Sequence, residues 1–168
     1  MHDKLTKQDI ELMKKELEDR TLRIRPQIME EVKRTRAFGD LSENYEYKAA
    51  KDAQRRNDSR MRYLENMIKT AKIIDDGVGH SSGAKLYDRV TLWLPEDEEE
   101  MVIQVVSTVR TNPSAGLISL ESPLGKVVLG AKVGDVVNVR VNDSYAYDAE
   151  IRAIEEAEDD GSAPLLPY

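Results

Sequence analysis

A strict heptad between residues 47 and 71 is the feature that most constrains what this chain can fold into. Its members follow one another in alternating steps of three and four: Tyr47, Ala50, Gln54, Asn57, Met61, Leu64, Ile68 and Ala71. This spacing places them along one face of a long helix that must pack against a partner. Polar Gln54 and Asn57 weaken such a seam, but they can fix its register.

The partner is predicted directly upstream. Apolar or small residues recur there at helical spacing: Ile10, Met13, Leu17, Thr21, Ile24, Ile28, Val32 and Thr35. Pro26 lies inside this pattern and should kink the helix or loosen one of its turns. Gly39 interrupts the pattern, and the short connection forces the two helices to run antiparallel. We therefore expect a coiled-coil hairpin over residues 1–76, about 45 Å long, with its tip near residues 37–44.

The second half of the chain has a different pattern. Residues 77–84 read as a flexible linker, and residues 85–154 as a small β-rich domain with alternating strands such as Val90–Leu94. A short helix is predicted within this domain, with Ser122 as its N-cap, Pro123 as its first residue and Gly130 as the residue that ends it. The acidic residues 155–168 are expected to be a disordered tail. The fold class is thus α+β.

Composition excludes several classes of function. The chain has 168 residues, no cysteine and only two histidines, His2 and His80. Disulfides, thiolate metal sites and a cysteine nucleophile are therefore excluded. No signal peptide, membrane-length apolar run, phosphate-binding glycine loop or catalytic triad pattern is present. We expect a cytoplasmic protein that is not a free-standing enzyme and that has neither a membrane partner nor a small-molecule substrate.

The charge is divided unevenly between the halves. Residues 1–76 hold 18 basic and 16 acidic residues, whereas residues 77–168 hold 7 and 16. The acidic second half argues against general coating of nucleic acid, because phosphates would be repelled.

The expected tip carries two carboxylates, Asp40 and Glu43, three residues apart. Such a pair can help to coordinate Mg²⁺ if another molecule supplies the remaining ligands. The same spacing also fits a capping box, with Asp40 as N-cap and Glu43 reaching back to it, and on spacing alone this interpretation is favoured.

Two further segments allow both a structural and a functional interpretation. Seven basic residues flank the tip: Lys33, Arg34, Arg36, Lys48, Lys51, Arg55 and Arg56. They form either a solvated coiled-coil face or a surface for phosphate. Ser122–Leu124 is either ordinary helix-start chemistry or a docking loop with Leu124 exposed. Tyr45, Tyr47 and Tyr63 are expected to pack in or beside the seam.

Two motifs resemble those of the bacterial Gre transcript-cleavage factors. Residues 39–51, GDLSENYEYKAAK, resemble the N-terminal signature of this family, and residues 122–135, SPLGKVVLGAKVGD, resemble the C-terminal one. Arg25-Pro26 also occupies a position where the family tends to have this pair. The resemblance covers about residues 5–154, and the loop at Asn142–Ser144 departs from it.

The resemblance implies a coiled coil followed by an FKBP-like domain that docks on the rim of the secondary channel of bacterial RNA polymerase. It implies that the tip reaches the polymerase active site and stimulates cleavage near the 3′ end of the nascent RNA in backtracked complexes. Asp40 and Glu43 would be the catalytic and Mg²⁺-holding pair, the ion being shared with polymerase and absent from the isolated protein. By position, the remaining roles fall to Ser42 and Asn44 as tip support, to Arg36, Lys51 and Arg55 as RNA-facing basic residues, and to Ser122, Pro123 and Leu124 as docking residues.

Two alternatives remain open at this point. One is a channel-occupying inhibitor of the polymerase that does not stimulate cleavage. The other is an FKBP-like isomerase or chaperone, which the composition disfavours because the second half holds Trp93 and four tyrosines but no phenylalanine.

Overall fold

The structure, a computed structural model, describes residues 2–39, 44–75 and 82–167. The chain divides into two compact units. Ile10–Ala71 forms a helical unit, which we call the hairpin. The described part of Met1–Asp9 joins Lys72–Pro167 in a second unit, which we call the sheet domain. The expected α+β class is confirmed.

The helices of the hairpin follow the predicted pattern closely. They are α1 (Lys7–Asp19), a π-helical segment (Arg20–Ile24), α2 (Arg25–Arg36) and α3 (Tyr45–Thr70). A capping box starts α1, because the Thr6 backbone N–H donates to Asp9 Oδ2 (2.9 Å) and the Asp9 N–H donates to Thr6 Oγ1 (3.2 Å).

Contacts between the two arms of the hairpin, residues 10–36 and 44–71, show that it is antiparallel. Asn44 reaches back to Thr35, Gln54 reaches Met29, and farther along α3 Arg60 reaches Glu16. The members of the predicted α3 seam are all buried or half-buried. The heptad prediction is confirmed.

One predicted seam position in the first helix is wrong. Thr21 is exposed, and Arg20 is half-buried in its place. The cause is the π-helical segment, in which the Arg25 N–H donates to the Arg20 carbonyl. Pro26 has no N–H, and its ring would clash with the carbonyl four residues back, so the preceding turn widens. The loosened turn that Pro26 predicts is thus present as this π-helical segment.

A polar layer crosses the seam next to this widened turn. Glu16 Oε1 accepts hydrogen bonds from Arg20 Nε and Arg60 Nε, each at 2.8 Å, and Glu16 Oε2 accepts one from Arg60 Nη2 at 2.9 Å. Arg20 Nη1 also donates to Asn57 Oδ1 at 2.9 Å. Burial alone would raise the pKa of Glu16, but the hydrogen bonds and charges of Arg60 and Arg20 outweigh it and hold that pKa below its ordinary value.

The sheet domain is built on a five-stranded sheet in the order β5-β4-β3-β7-β6. The strands are β1 (Lys4–Leu5), β2 (Lys72–Ile73), β3 (Arg89–Leu94), β4 (Glu99–Val106), β5 (Leu117–Ser119), β6 (Val136–Arg140) and β7 (Ala146–Glu155). Within the five-stranded sheet, only the β4–β5 pair is parallel among the described strands. Its inward residues, among them Val90, Leu92, Ile103, Val105 and Ile151, form one buried core.

A helix and a small second sheet complete the domain. The predicted short helix is present as α4 (Pro123–Val128). Strands β1 and β2 pair in parallel, Lys4 with Lys72 and Leu5 with Ile73, so the segments before and after the hairpin lie side by side. We had expected residues 72–75 to be helical, and two-residue strands carry no periodicity that would have revealed the pairing.

The unit boundaries differ from those expected from the sequence. Residues 2–9 and 72–75 belong to the sheet domain and not to the hairpin. Of the expected linker, residues 77–81 lie outside the described residues, whereas Ala84 is fully buried and exchanges backbone hydrogen bonds with Ala131 and Gly130.

The expected disordered tail is instead placed against the sheet domain. Residues 156–167 are described, and the Leu166 N–H donates to the Val109 carbonyl at 2.7 Å. Asp159 pairs with the buried Arg110. A buried guanidinium requires a carboxylate partner, and this requirement gives the acidic tail a place to bind.

Among the helices of the described residues, none combines the length and the hydropathy that a membrane crossing needs.

The polar layer gives a pH-dependent prediction. Because the pKa of Glu16 is lowered in the folded state, its stabilising effect is complete above the ordinary value of 4.5 and is lost as the pH falls through the lower folded value. Glu16→Gln should therefore lower the free energy of unfolding by about 2 kcal/mol at pH 7, and this difference should shrink below pH 4.5.

Urea unfolding followed by circular dichroism between pH 3 and 7 measures the effect. Glu18→Gln is the matched control, because Glu18 is exposed on the same helix. A difference between Glu16→Gln and the parent that did not change with pH would contradict this account.

Candidate functional site

The candidate site is the connection between α2 and α3. Asp40, Leu41, Ser42 and Glu43 lie outside the described residues. The structure describes both ends of this connection, Ala37–Gly39 after α2 and Asn44 before α3.

Asn44 holds the two ends together. Its Oδ1 accepts the Tyr47 backbone N–H at 3.0 Å, which caps the start of α3. Its Nδ2 donates to the Thr35 carbonyl at 2.6 Å, in the last turn of α2. Asn44 therefore joins the end of α2 to the start of α3, and its support of the tip residues stays a prediction.

The N-cap of α3 is Asn44 and the helix begins at Tyr45. The interpretation in which Asp40 is the N-cap of this helix is therefore wrong. The role of the carboxylate pair stays a prediction.

The last turn of α2 is well anchored on its side of the loop. Thr35 is fully buried, and its hydroxyl donates to the Glu31 carbonyl at 2.8 Å. Its own carbonyl also accepts the Phe38 N–H at 3.2 Å. Gly39 follows with φ of +98°, a left-handed conformation that glycine adopts at little cost.

Two exposed aromatic rings flank the loop, and the sequence analysis did not single them out as exposed. Phe38 is 57% exposed and lies beside the Arg34 guanidinium, with 5.2 Å to the ring centre. Tyr45 is 80% exposed, and Lys48 Nζ lies 5.6 Å from its ring centre. The expectation that Tyr45 packs in or beside the seam is therefore wrong. Tyr47 and Tyr63 are half-buried, as expected for residues in or beside the seam.

The basic residues near the loop differ in how they are held. Arg36 is exposed at the end of α2. Lys51 is half-buried and donates to Gln54 Oε1 at 2.9 Å, whereas Arg55 is exposed and pairs with Asp52 at 3.0 Å. Arg34 is bound by Glu31, whose hydrogen bond raises the pKa of the guanidinium. Among the described residues, no ion pair is formed by five members of this basic set: Lys33, Arg36, Lys48, Lys51 and Arg56.

The predicted docking segment starts α4. Ser122 Oγ accepts the Gly125 N–H at 3.0 Å and donates to the Ser119 carbonyl at 2.6 Å. Pro123 is exposed, but Leu124 is half-buried and packs against the core of the sheet domain. The expectation of an exposed Leu124 is therefore wrong, and Pro123 is the residue that faces solvent.

Gly125 lets α4 pack closely on the strand before it. A Cβ at this position would lie 2.0 Å from the Ser119 carbonyl oxygen. Beside the helix lies a small groove of about 190 Å³, whose lining includes Leu120, Leu129 and Glu121. Lys4 and Lys126 each approach Glu121 at 3.6 Å there.

In the part of the chain that the structure describes, no three His, Cys, Asp or Glu side chains are grouped so as to hold a metal ion.

Comparison with known proteins agrees with this geometry. Residues 4–73 match the family model "Transcription elongation factor, N-terminal", and residues 81–156 match "Transcription elongation factor, GreA/GreB, C-term". The chain is 39% identical to the transcription elongation factor GreA of Lactococcus lactis subsp. lactis over 80% of this chain and 86% of that protein. It belongs to the GreA/GreB family of transcription elongation factors.

Two other similarities complete the comparison. GreA of Mesoplasma florum is 37% identical over 86% of this Gre-family chain and 93% of its own length. A crystal structure of GreA factor homolog 1 (Gfh1) of Thermus thermophilus is 28% identical, covering 93% of this chain and 100% of that one, with a TM-score of 0.43. The family models together span the hairpin and the sheet domain in order, and they end before the tail.

The double role of Asn44 can be separated by substitution. Asn44→Ala removes both the cap and the bond to Thr35, and it should lower the free energy of unfolding by about 1–2 kcal/mol. Asn44→Asp keeps the cap but cannot donate to the Thr35 carbonyl, so its stability should lie between those of parent and Asn44→Ala. Urea unfolding at pH 7 measures both variants.

Asn66→Ala is the matched control, because Asn66 is an exposed asparagine on the same helix. Parent-like stability of Asn44→Asp would show that the bond to Thr35 contributes nothing.

The fit of α4 gives a second test. Gly125→Ala should lower Tm by about 3–6 °C, since the added methyl group meets backbone and forces α4 away from β5. Lys126→Ala, at the next and exposed position, should change Tm by less than about 1 °C. Thermal unfolding of the two variants decides, and equal Tm values would mean that α4 does not pack as described.

Proposed function

We propose that this Gre-family protein stimulates transcript cleavage by RNA polymerase and thereby returns backtracked or arrested complexes to elongation. The observation that carries the proposal is the antiparallel hairpin, which has Asp40 and Glu43 in the connection between its helices. The N-cap of α3 is Asn44 and not Asp40. The polymerase itself performs the hydrolysis, and this protein is not an enzyme on its own.

In this proposal Asp40 and Glu43 supply carboxylate oxygens to a Mg²⁺ ion shared with the polymerase active site. Carboxylate oxygens are the ligands that Mg²⁺ prefers, and two of them require further ligands from elsewhere. When bound, the ion would polarise the phosphate and assist water attack.

The described surroundings of the loop support contact with RNA in a confined channel. Exposed Arg36 and Arg55, together with half-buried Lys51, present positive charge behind the acidic pair. Phosphates at the nascent RNA 3′ end would be attracted to these cations. Asn44, the residue directly after Glu43 in the chain, is itself held by its hydrogen bonds with Thr35 and Tyr47.

The sheet domain supplies the second contact with polymerase in this proposal. Ser122 and Gly125 hold α4 rigidly, and Pro123 is exposed at its start. A stiff exposed proline is suited to docking because it loses little conformational entropy on binding. The rim of the secondary channel is the proposed partner surface, and the cytoplasm is the proposed location.

A stalled elongation complex with labelled RNA tests the function. With Mg²⁺ present, the parent protein should shorten the transcript from its 3′ end. Asp40→Asn and Glu43→Gln should each lower the cleavage rate by about 100-fold, the scale of a lost electrostatic contact to a transition state. Glu46→Gln is the control, since Glu46 is an exposed acid in the first turn of α3.

Each outcome has a defined meaning. Cleavage by Asp40→Asn at the parental rate would overturn the assigned mechanism. Slower nucleotide addition without cleavage, unchanged by Asp40→Asn, would identify a channel-occupying inhibitor instead.

A further inference from the structure

A buried arginine joins three distant parts of the sheet domain. Arg110 ends a short 3₁₀ turn (Thr108–Arg110) after β4, and only 1% of it is exposed. A guanidinium can be buried at this depth only if its donors are almost all satisfied. Burial alone would lower the pKa of Arg110, but the hydrogen bonds and charge of Asp159 outweigh it and keep the group charged.

The partners of Arg110 come mainly from the tail. Its Nη2 donates to Asp159 Oδ1 at 2.7 Å, and its Nη1 donates to the other oxygen of the same carboxylate. Its Nε donates to the Ala163 carbonyl at 2.9 Å. This bidentate contact with one carboxylate, joined to a backbone carbonyl four residues on, is typical of recognition of a specific chain segment.

The remaining partners of Arg110 lie outside the tail. Arg110 Nη1 donates to Tyr87 Oη at 2.9 Å and lies 3.4 Å from Asp9 Oδ1. Tyr87 has φ of +68°, which is rare for a bulky residue. It is held there by its N–H to the Val105 carbonyl (2.9 Å) and by the bond that its carbonyl accepts from Gln104 Nε2 (2.8 Å).

Backbone contacts extend the recognition along the tail on both sides of Asp159. The Ala157 N–H donates to Asp88 Oδ1 at 3.2 Å, and the Leu166 N–H donates to the Val109 carbonyl at 2.7 Å. Gly161 approaches Gln8, whose Nε2 would lie 2.9 Å from an added Cβ. These contacts lie beyond residue 156, where the matched family model ends.

Asp9 connects this site to the start of the first helix. Its Oδ2 closes the capping box with Thr6, while its Oδ1 faces Arg110. Asp9 and Thr6 are both fully buried. The same carboxylate therefore caps α1 and neutralises the cation that binds the tail.

We propose that Arg110, Tyr87, Asp88 and Asp9 form a peptide-binding site for an extended acidic segment. In this protein its own residues 157–166 fill the site. The inference does not depend on transcript cleavage.

The full chain provides the first test, with two neighbouring aspartates as a matched pair. Asp159→Asn removes the charge that faces Arg110, whereas Asp160 is exposed and its carboxylate accepts from the Ser162 N–H. Asp159→Asn should lower Tm by about 5 °C or more. It should also speed hydrogen exchange of the Leu166, Ala157 and Asp9 amides at least about tenfold. Asp160→Asn should leave Tm and these exchange rates near those of the parent.

A second test asks whether the site binds the segment in trans. A chain ending at Glu155 is mixed with a synthetic peptide of residues 156–167, blocked at both ends. The peptide should bind saturably by fluorescence anisotropy and raise Tm of the shortened chain, and the same peptide with Asp159→Asn should bind at least tenfold more weakly.

Two results would overturn the proposal. One is equal exchange and equal Tm in Asp159→Asn and Asp160→Asn. The other is a folded shortened chain that does not bind the peptide. If the shortened chain does not fold, the comparison of the two full-length variants decides alone.

Discussion

The ion pairs between Glu16 and the two arginines, Arg20 and Arg60, are the constraint on which the hairpin depends. Apolar seam layers tolerate sliding, because one aliphatic contact resembles the next. A half-buried carboxylate paired with a guanidinium of the opposite helix has one satisfactory alignment, since a slip between the helices would separate Arg60 from Glu16. That alignment determines where the helices end, and hence that Thr35 and Asn44 meet at the base of the loop.

Much of the hairpin could be predicted from the sequence, because its information is local and periodic. The α3 heptad and the breaker at Gly39 were sufficient for two antiparallel helices. Thr21 was misplaced because Pro26 permits either a kink or a widened turn, and spacing does not distinguish them. The parallel pair formed by β1 and β2 could not be predicted, since two residues are too few for any period to appear.

The candidate sites also divide into those with a local signal in the sequence, which could be predicted, and those without one, which could not. Ser122 and Pro123 predicted α4 because capping acts over three residues. The Arg110 site could not be predicted, since its carboxylate partners lie 101 and 49 residues away. Nothing local distinguishes Asp159, which binds Arg110, from Asp160, which faces solvent. Only the folded surface selects between them.

Neutral side chains cap the starts of three helices in the described part of this protein. Thr6 with Asp9 caps α1, Asn44 caps α3 and Ser122 caps α4. The N-cap residues of these three helices are all neutral, although Asp40 and Glu43, close before α3 in the sequence, have the spacing of a capping box. A carboxylate committed to a backbone N–H would have fewer lone pairs for a cation. The N-cap of α3 is the neutral amide of Asn44, which fits the proposal that the acidic pair donates its oxygens to a metal ion.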